Sequence, residues 1–197
     1  MRICEEFRSL QGEGKKIGTP TMFIRTVGCN LKCSWCDTQY ATSEPGEEVS
    51  VDKIMELVKD EKDVCLTGGE PMLQKDALEL LRKLSDAGKT VVLETNGSVS
   101  LKDVPDSESI IISMDIKCPG SGMQDKMDFS NIALLKKKDQ LKFVIKDQTD
   151  LDFAIDYLRK NKPDTNVIFG PVGGTDKLEW LVNEVLKNDV DARVLAT

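Results

Sequence analysis

The sequence predicts an α/β fold, an incomplete TIM-like barrel of the (β/α)6 type with parallel strands. Short apolar runs rich in β-branched residues alternate along the chain with segments of helical period, and strands joined by helices pair in parallel. The apolar runs are nearly continuous, which is typical of strands covered on both faces. A closed eight-unit barrel takes about 250 residues, whereas this chain has 197. An incomplete barrel is therefore favoured, with a doubly wound sheet as the alternative.

Strands and helices are predicted in regular order within one domain that covers residues 1–197. The predicted strands are residues 21–27, 63–67, 90–95, 110–116, 140–145, 167–170 and 192–195. The predicted helices are residues 51–59, 75–87, 131–138, 150–160 and 175–187. Ser50 has the character of an N-cap, and Gly88 of a residue that ends a helix. Ligands of such folds bind at the carboxyl ends of the strands, so the residues after each strand are the candidates for function.

Charge and composition exclude several kinds of function. The formal net charge is −7, and a nucleic-acid-binding face is basic, so nucleic acid is not expected as a partner. The apolar runs are far shorter than the roughly 18 residues that span a bilayer, and the first residues lack an apolar signal region. We therefore expect a cytoplasmic protein with no membrane partner. Histidine is absent, which excludes Cys/His zinc sites and Ser-His-Asp triads.

Cys29, Cys33 and Cys36 follow the first predicted strand with the spacing C-x3-C-x2-C. Such spacing on a loop lets three thiolates hold one side of an iron-sulfur cluster, and the missing fourth cysteine leaves one iron open to a small molecule. A structural zinc site or three buried thiols are the alternatives. Cys4 and Cys65 are interpreted as small apolar residues in strands, whereas Cys118 follows a strand near the expected mouth of the barrel.

The cysteine spacing after the first barrel strand resembles the radical S-adenosylmethionine (SAM) superfamily. The resemblance implies a 4Fe-4S cluster on the three cysteines, whose open iron chelates the amino and carboxylate groups of SAM and whose electron cleaves it to a 5'-deoxyadenosyl radical. Gly68, Gly69 and Glu70 follow the second strand and resemble the superfamily's GGE motif, which contacts SAM. The other positions that the resemblance assigns to SAM are Glu94, Asn96, Asp115, Lys117, Phe169, Gly170, Pro171 and Val172.

The segment before the cysteines narrows the resemblance to the 7-carboxy-7-deazaguanine synthase family. Leu10, Gln11, Gly12 and Arg25 match its substrate-binding positions, and the Arg25 guanidinium suits a carboxylate through a bidentate pair. Glu13 and Thr67 are assigned to the substrate as well. Thr38 matches the threonine that binds Mg²⁺, a cation that prefers oxygen ligands.

The family resemblance implies a reaction and partners. The substrate is 6-carboxy-5,6,7,8-tetrahydropterin, which is converted to 7-carboxy-7-deazaguanine with loss of ammonia in queuosine or archaeosine biosynthesis. The resemblance also implies a homodimer and an external one-electron reductant of the flavodoxin or ferredoxin type. Family members usually continue past the last residues of this chain into a tail with glutamine and histidine near the substrate, and we expect that tail to be missing here.

Two other functions are compatible with the cysteine spacing. A glycyl-radical-enzyme activating protein shares C-x3-C-x2-C and GGE but acts on a partner protein, and residues 10–14 argue against it. A non-enzymatic iron-sulfur or zinc module needs only the thiols.

Overall fold

A computed structural model describes residues 1–43 and 45–196 as one open, mostly parallel sheet with helices against it. The strands are β1 (Arg2–Leu10), β2 (Pro20–Thr26), β3 (Glu47–Glu48), β4 (Asp63–Gly68), β5 (Thr90–Thr95), β6 (Ile110–Ile116), β7 (Gln140–Ile145), β8 (Asn166–Pro171) and β9 (Arg193–Val194). Their order in the sheet is β3-β1-β2-β4-β5-β6-β7-β8-β9. The pairs β3–β1 and β1–β2 are antiparallel, and the other six pairs of neighbouring strands, from β2–β4 to β8–β9, are parallel.

Each predicted strand lies on one of the parallel strands β2 and β4 to β9, which confirms the incomplete TIM-like barrel. The sheet does not close, because β3 and β9 stand at its two ends without pairing to each other in the described residues. Cys4 and Cys65 lie in β1 and β4, as predicted. The antiparallel strands β1 and β3 were not among the predicted strands. Much of β1 is exposed and polar, so its sequence lacks the buried pattern of the parallel strands.

The α-helices are α1 (Tyr40–Ser43), α2 (Val51–Leu57), α3 (Ala77–Asp86), α4 (Gln148–Asn161) and α5 (Leu178–Lys187). Four of the predicted helices are confirmed as α2 to α5, with a 3-10 turn before α5. Ser50 caps α2 by accepting a hydrogen bond from the Lys53 N–H at 3.2 Å. Gly88 follows the end of α3 with a positive φ of 72°, a conformation that glycine adopts without strain.

The predicted helix at residues 131–138 is wrong. A 3-10 segment, Phe129–Leu134, covers its first residues, and residues 135–138 are not helical. Asn131 is fully buried there, and its amide donates to the carbonyls of Gly97 and Val99 and accepts from the Leu101 N–H. These bonds use the side chain to hold the loop after β5, so the local helical pattern is overridden by tertiary contacts.

The two faces of the sheet have different surroundings. The outer face packs on the helices in two apolar clusters, one with α2 and α3 and one with α4 and α5. The concave face has only a small apolar cluster of Phe23, Cys65 and Val92, with Phe7 and Ile111 against it. Polar residues at the carboxyl end of this face therefore border a cavity. No helix of the described residues is long and apolar enough to cross a bilayer.

Candidate active site

A cavity of about 1030 Å³ opens at the carboxyl ends of the parallel strands. Its volume is at the upper end of the range for small-molecule sites. Most of the predicted site residues line it: Leu10, Gln11, Gly12, Glu13, Arg25, Cys29, Cys33, Cys36, Thr38, Thr67, Gly68, Gly69, Glu94, Asn96, Asp115, Lys117, Pro171 and Val172. The topology thus brings segments from β1 to β8 to one place.

The three loop thiols share one wall of this cavity, and none is in a disulfide. The Cys29 sulfur accepts from the Leu31 N–H at 3.4 Å and from the Asn96 amide at 3.6 Å. Burial, together with the charges of Cys29 and Cys36, raises the pKa of Cys33, while Lys117 opposes the rise. Among the described residues, no three His, Cys, Asp or Glu side chains are gathered as ligands of a single ion.

The glycine turn after β4, made of Gly68, Gly69 and Glu70, is packed directly on the beginning of the cluster loop, residues 28–38, which carries the three cysteines. The Gly69 N–H donates to the Thr26 carbonyl at 3.1 Å, and the Glu70 N–H donates to the Gly28 carbonyl at 2.8 Å. A Cβ at Gly69 would lie 2.2 Å from the Gly28 oxygen and 3.0 Å from the Cys29 Cβ. Glycine is required here because the two backbones approach so closely.

Glu70 does not line the cavity, although it was predicted to contact SAM. Its carboxylate is fully buried and accepts from the Met72 N–H at 3.0 Å, the Thr95 hydroxyl at 2.8 Å and the Asn96 N–H at 2.6 Å. Burial raises the pKa of this carboxyl against the effect of those hydrogen bonds. The side chain joins the glycine turn to the end of β5 and thereby fixes Asn96.

At the end of β5, the Glu94 carboxylate and the Asn96 amide bond to different parts of the cavity wall. Glu94 accepts from the Gln11 amide at 3.2 Å and from the Thr67 hydroxyl at 2.9 Å. The Asn96 amide donates to Asn30 at 3.2 Å in addition to the Cys29 sulfur. Glu94 therefore belongs to the side formed by residues 10–13, and Asn96 to the cluster loop.

A chain of alternating charges crosses the concave face between these two sides. Lys117 Nζ lies 2.7 Å from Asp115, Lys142 Nζ lies 3.3 Å from the other Asp115 oxygen, and Lys142 also pairs with Glu13. Burial opposes the charge of Asp115, but the two ammonium groups outweigh it and lower the pKa of Asp115 to about 2. Burial likewise disfavours charged lysines, but the neighbouring carboxylates raise the pKa values of Lys117 and Lys142.

Arg25 is held at the far side of the cavity by its neighbours on β1 and α1. Its Nε donates to Glu5 at 2.6 Å, and its guanidinium lies over the rings of Phe7 and Tyr40 at 5.8 and 6.0 Å. The Tyr40 hydroxyl donates to the same Glu5 oxygen at 2.8 Å. Only the Nε edge is used among the described residues, so the terminal nitrogens of the guanidinium remain able to donate to a ligand.

Two further predicted SAM residues lie outside the cavity. Phe169 is fully buried in the cluster under α4 and α5, where its ring meets Phe143 edge-on at 5.5 Å. Gly170 is buried and is not part of the lining, which begins at Pro171. Cys118, which follows the end of β6, is also fully buried and outside the cavity, in the apolar cluster under α4 and α5.

Among the lining residues that sequence reasoning missed, Lys142 and Trp35 are the most informative. Lys142 is a cation inside the mostly apolar strand β7. That position was a usable signal, because a lysine in a buried strand needs a partner. Trp35 lies between two of the cysteines, and the Lys146 ammonium is 6.0 Å from its ring centroid.

The donor set fits an iron-sulfur cluster with SAM beside it. Three unpaired thiols line one wall, N–H groups already point at the Cys29 sulfur, and the glycine turn leaves backbone accessible next to Cys29. Thiolates are the usual ligands of such clusters. Thr38 adds a hydroxyl 3.8 Å from the Cys36 sulfur, on the same wall.

Comparisons with known proteins agree with this geometry. Residues 23–119 match the model of the Radical SAM superfamily. The 7-carboxy-7-deazaguanine synthase of Thermoplasma acidophilum is 40% identical over 99% of this chain and 93% of its own length. That of Methanospirillum hungatei is 42% identical over 98% of this chain and 82% of its own length. The crystal structure of QueE from Escherichia coli has a TM-score of 0.77 at 20% identity and covers 100% of this chain and 94% of its own.

The structural likeness at this low identity supports the fold, and the sequence relatives define the family. The cysteine loop, the glycine turn and most of β2 to β6 lie within the matched superfamily residues. The relatives extend the likeness to residues 10–13 and to β7 and β8. The chain therefore belongs to the 7-carboxy-7-deazaguanine synthase family of the radical SAM superfamily.

Proposed function

We propose that this protein is a radical SAM lyase that converts 6-carboxy-5,6,7,8-tetrahydropterin into 7-carboxy-7-deazaguanine and ammonia. The observation that carries the proposal is the single cavity in which the thiols, the glycine turn, residues 10–13, Arg25 and Thr67 meet. The family membership selects this reaction over a glycyl-radical-enzyme activating protein and over a non-enzymatic metal module.

Cys29, Cys33 and Cys36 would hold the 4Fe-4S cluster. When bound, the cluster supplies the electron that cleaves SAM and so generates the radical that takes a hydrogen atom from the pterin. Gly68, Gly69, Asn96, Asp115, Lys117, Pro171 and Val172 form the proposed SAM side of the cavity. Glu70 acts from behind this wall by fixing Asn96, and Phe169 anchors β8 in the apolar cluster under α4 and α5.

Residues on the opposite side of the cavity would bind the pterin. The terminal nitrogens of Arg25 are proposed to bind its carboxylate, because Glu5, Phe7 and Tyr40 hold the guanidinium in one orientation. Leu10, Gln11, Gly12, Glu13 and Thr67 would surround the rest of the ring, and Glu94, which the resemblance assigned to SAM, is proposed to join them because it bonds to Gln11 and Thr67. The Thr38 hydroxyl is the proposed ligand for Mg²⁺, together with oxygen atoms of the substrate.

Several properties of the whole protein complete the proposal. Residues 1–197 are one radical SAM domain, and the protein acts in the cytoplasm, where thiols stay reduced. It functions as a homodimer and accepts electrons from a flavodoxin- or ferredoxin-type protein. Size-exclusion chromatography with light scattering tests the dimer, and reduction kinetics with a purified flavodoxin test the reductant.

The deciding experiment is anaerobic incubation of the reconstituted protein with SAM, dithionite, Mg²⁺ and 6-carboxytetrahydropterin. Mass detection of 7-carboxy-7-deazaguanine supports the proposal. Formation of 5'-deoxyadenosine without any deazaguanine contradicts the assigned substrate. If the reconstituted protein contains zinc and no acid-labile sulfide, the assignment of an iron-sulfur cluster is contradicted.

A further inference from the structure

We infer that Lys142 is a positioning residue, which holds the Glu13 carboxylate in place for the pterin and ties it to Asp115 on the SAM side. This inference rests on the proposed function, because it concerns the same cavity. It adds a residue of β7 that neither the cysteine loop nor the segment at residues 10–13 contains.

Lys142 is placed between two carboxylates on the concave face. Its ammonium pairs with Glu13 and lies 3.3 Å from Asp115, and its side chain is only 10% exposed. A buried ammonium is costly unless opposite charges surround it. Conversely, Glu13 and Asp115 share this cation, so its removal would leave two carboxylates to repel each other in a site with little water.

The orientation of the Glu13 side chain depends on Lys142, whereas the path of the surrounding backbone does not. The backbone on either side is fixed by other bonds: the Glu13 N–H donates to Gln11 at 3.2 Å, and the Lys15 N–H donates to the Gln140 amide oxygen at 2.8 Å. In the described part of the chain, Lys142 is the sole hydrogen-bonding partner of the Glu13 carboxylate. Loss of the ammonium should therefore release the side chain while the loop keeps its path.

A fixed carboxylate is useful because the aminopyrimidine edge of a pterin presents N–H donors. Charged hydrogen bonds to such an acceptor contribute more than neutral ones. The carboxylate must, however, stay charged and correctly oriented in a buried position. Lys142 supports both requirements, because its ammonium orients the Glu13 carboxylate and opposes the rise that burial gives the pKa of Glu13.

The test measures binding of oxidised 6-carboxypterin to the reconstituted protein by quenching of pterin fluorescence, so no turnover is needed. The variants are Lys142→Met, Lys142→Arg, Glu13→Gln and the double variant of Glu13→Gln with Lys142→Met. The matched control is Lys137→Met, because the Lys137 side chain is 83% exposed in its pair with Asp164. Deoxyadenosine formation without pterin is measured in parallel as a reading of the SAM side.

Lys142→Met should weaken 6-carboxypterin binding about tenfold or more, as expected for the loss of a charged hydrogen bond. Glu13→Gln should weaken it similarly, and the double variant should be no weaker than Glu13→Gln alone, because the two residues act together. Lys142→Arg should recover part of the affinity. Lys137→Met should bind 6-carboxypterin within about twofold of the unaltered protein, and Glu13→Gln should keep deoxyadenosine formation within about twofold, because the Glu13 carboxylate bonds only to Lys142 among the described residues. Lys142→Met should lower deoxyadenosine formation more than Glu13→Gln does, because it also removes a partner of Asp115.

Additive effects in the double variant would overturn the inference, as would unchanged binding by Lys142→Met or by Glu13→Gln. Cluster absorbance and thermal melting verify folding; if Lys142→Met does not fold, Lys142→Gln takes its place in the cycle. Failure of the unaltered protein to bind 6-carboxypterin would instead contradict the proposed function. The two failures are thus distinguishable.

Discussion

The backbone of Gly69 lies against the Gly28 carbonyl so closely that a methyl group at residue 69 would stand 2.2 Å from that oxygen. Gly28 directly precedes Cys29, the first thiol of the cluster loop. The fit between the glycine turn and the cluster loop would therefore determine where the proposed cluster sits. Substitutions in this contact should affect SAM cleavage before they affect the rest of the fold.

Gly69→Ala should lower the rate of deoxyadenosine formation by about tenfold or more, because small displacements of reacting groups are costly. The rate is measured with SAM and dithionite under anaerobic conditions. Gly88→Ala is the control: its Cβ would meet no atom within 4 Å, but its φ is 72°. Gly88→Ala should lose about 1 kcal/mol of stability but form deoxyadenosine as fast as the unaltered protein. If Gly69→Ala and Gly88→Ala form deoxyadenosine at equal rates, the contact between Gly69 and Gly28 does not have the proposed role.

Cys33→Ala should abolish deoxyadenosine formation and lower iron and acid-labile sulfide content, because only two loop thiolates remain. Cys118→Ala is its matched control, since Cys118 is fully buried outside the cavity. The control should lose on the order of 1 kcal/mol of stability through the small cavity that it leaves, while it keeps a full cluster. A Cys33→Ala protein that still cleaves SAM would disprove the assignment of the cluster ligands.

Arg25→Lys should raise the KM for 6-carboxytetrahydropterin by roughly tenfold to a hundredfold, because lysine keeps the charge but loses the planar fork. Deoxyadenosine formation in the absence of pterin should not change. Arg8→Lys is a suitable control, since Arg8 lies on β1 in an exposed pair with Glu61. A KM effect no larger than that of the control would show that the substrate carboxylate binds elsewhere.

Because Asp115 is charged in the folded protein, the free energy of unfolding should decrease as the pH falls into the acid range. Its pKa in the folded protein is about 2, below the ordinary value of 3.8, so the unfolded chain takes up the proton first. The stabilisation, about 2 kcal/mol, is fully present above about pH 4 and is lost as the pH falls toward about 2. Urea unfolding between about pH 7 and pH 3 measures this change.

Asp115→Asn separates the contribution of this residue from that of other carboxylates. The variant should be less stable than the unaltered protein near neutral pH, because Lys117 and Lys142 lose their shared partner. The difference should narrow as the pH approaches 3. Exposed Asp60→Asn should follow the unaltered protein throughout, and a constant difference for Asp115→Asn would argue against the lowered pKa.

The parallel strands and the cavity residues were predictable because their signals are local. An apolar strand followed by an unusual polar or cysteine motif marks both the sheet and its carboxyl edge, as for Arg25 and the cysteine loop after it. Such a motif does not reveal which way a side chain turns. Glu70 and Phe169 belong to motifs at the edge of the cavity, yet hydrogen bonds and core packing direct them inward.

Long-range contacts were the other part that local patterns did not provide. Asn131 fits a helical pattern, but bonds to the loop after β5 determine its conformation. Lys142 was visible as an unusual residue in β7, whereas its partner Glu13 is 129 positions away. Pairings at that distance are set by the order of strands in the sheet and become evident only from the whole fold.

The contacts of residues 13–16 have a consequence for the order in which the protein is made. Glu13 and Lys15 bind Lys142 and Gln140, which leave the ribosome far later than the cysteine loop and the glycine turn. Closing so long a loop is entropically costly, so these contacts form after the nearer strand pairs. The thiols and the glycine turn are therefore synthesised before the residues that complete the wall around Glu13, so the proposed cluster site is made ahead of the proposed pterin side.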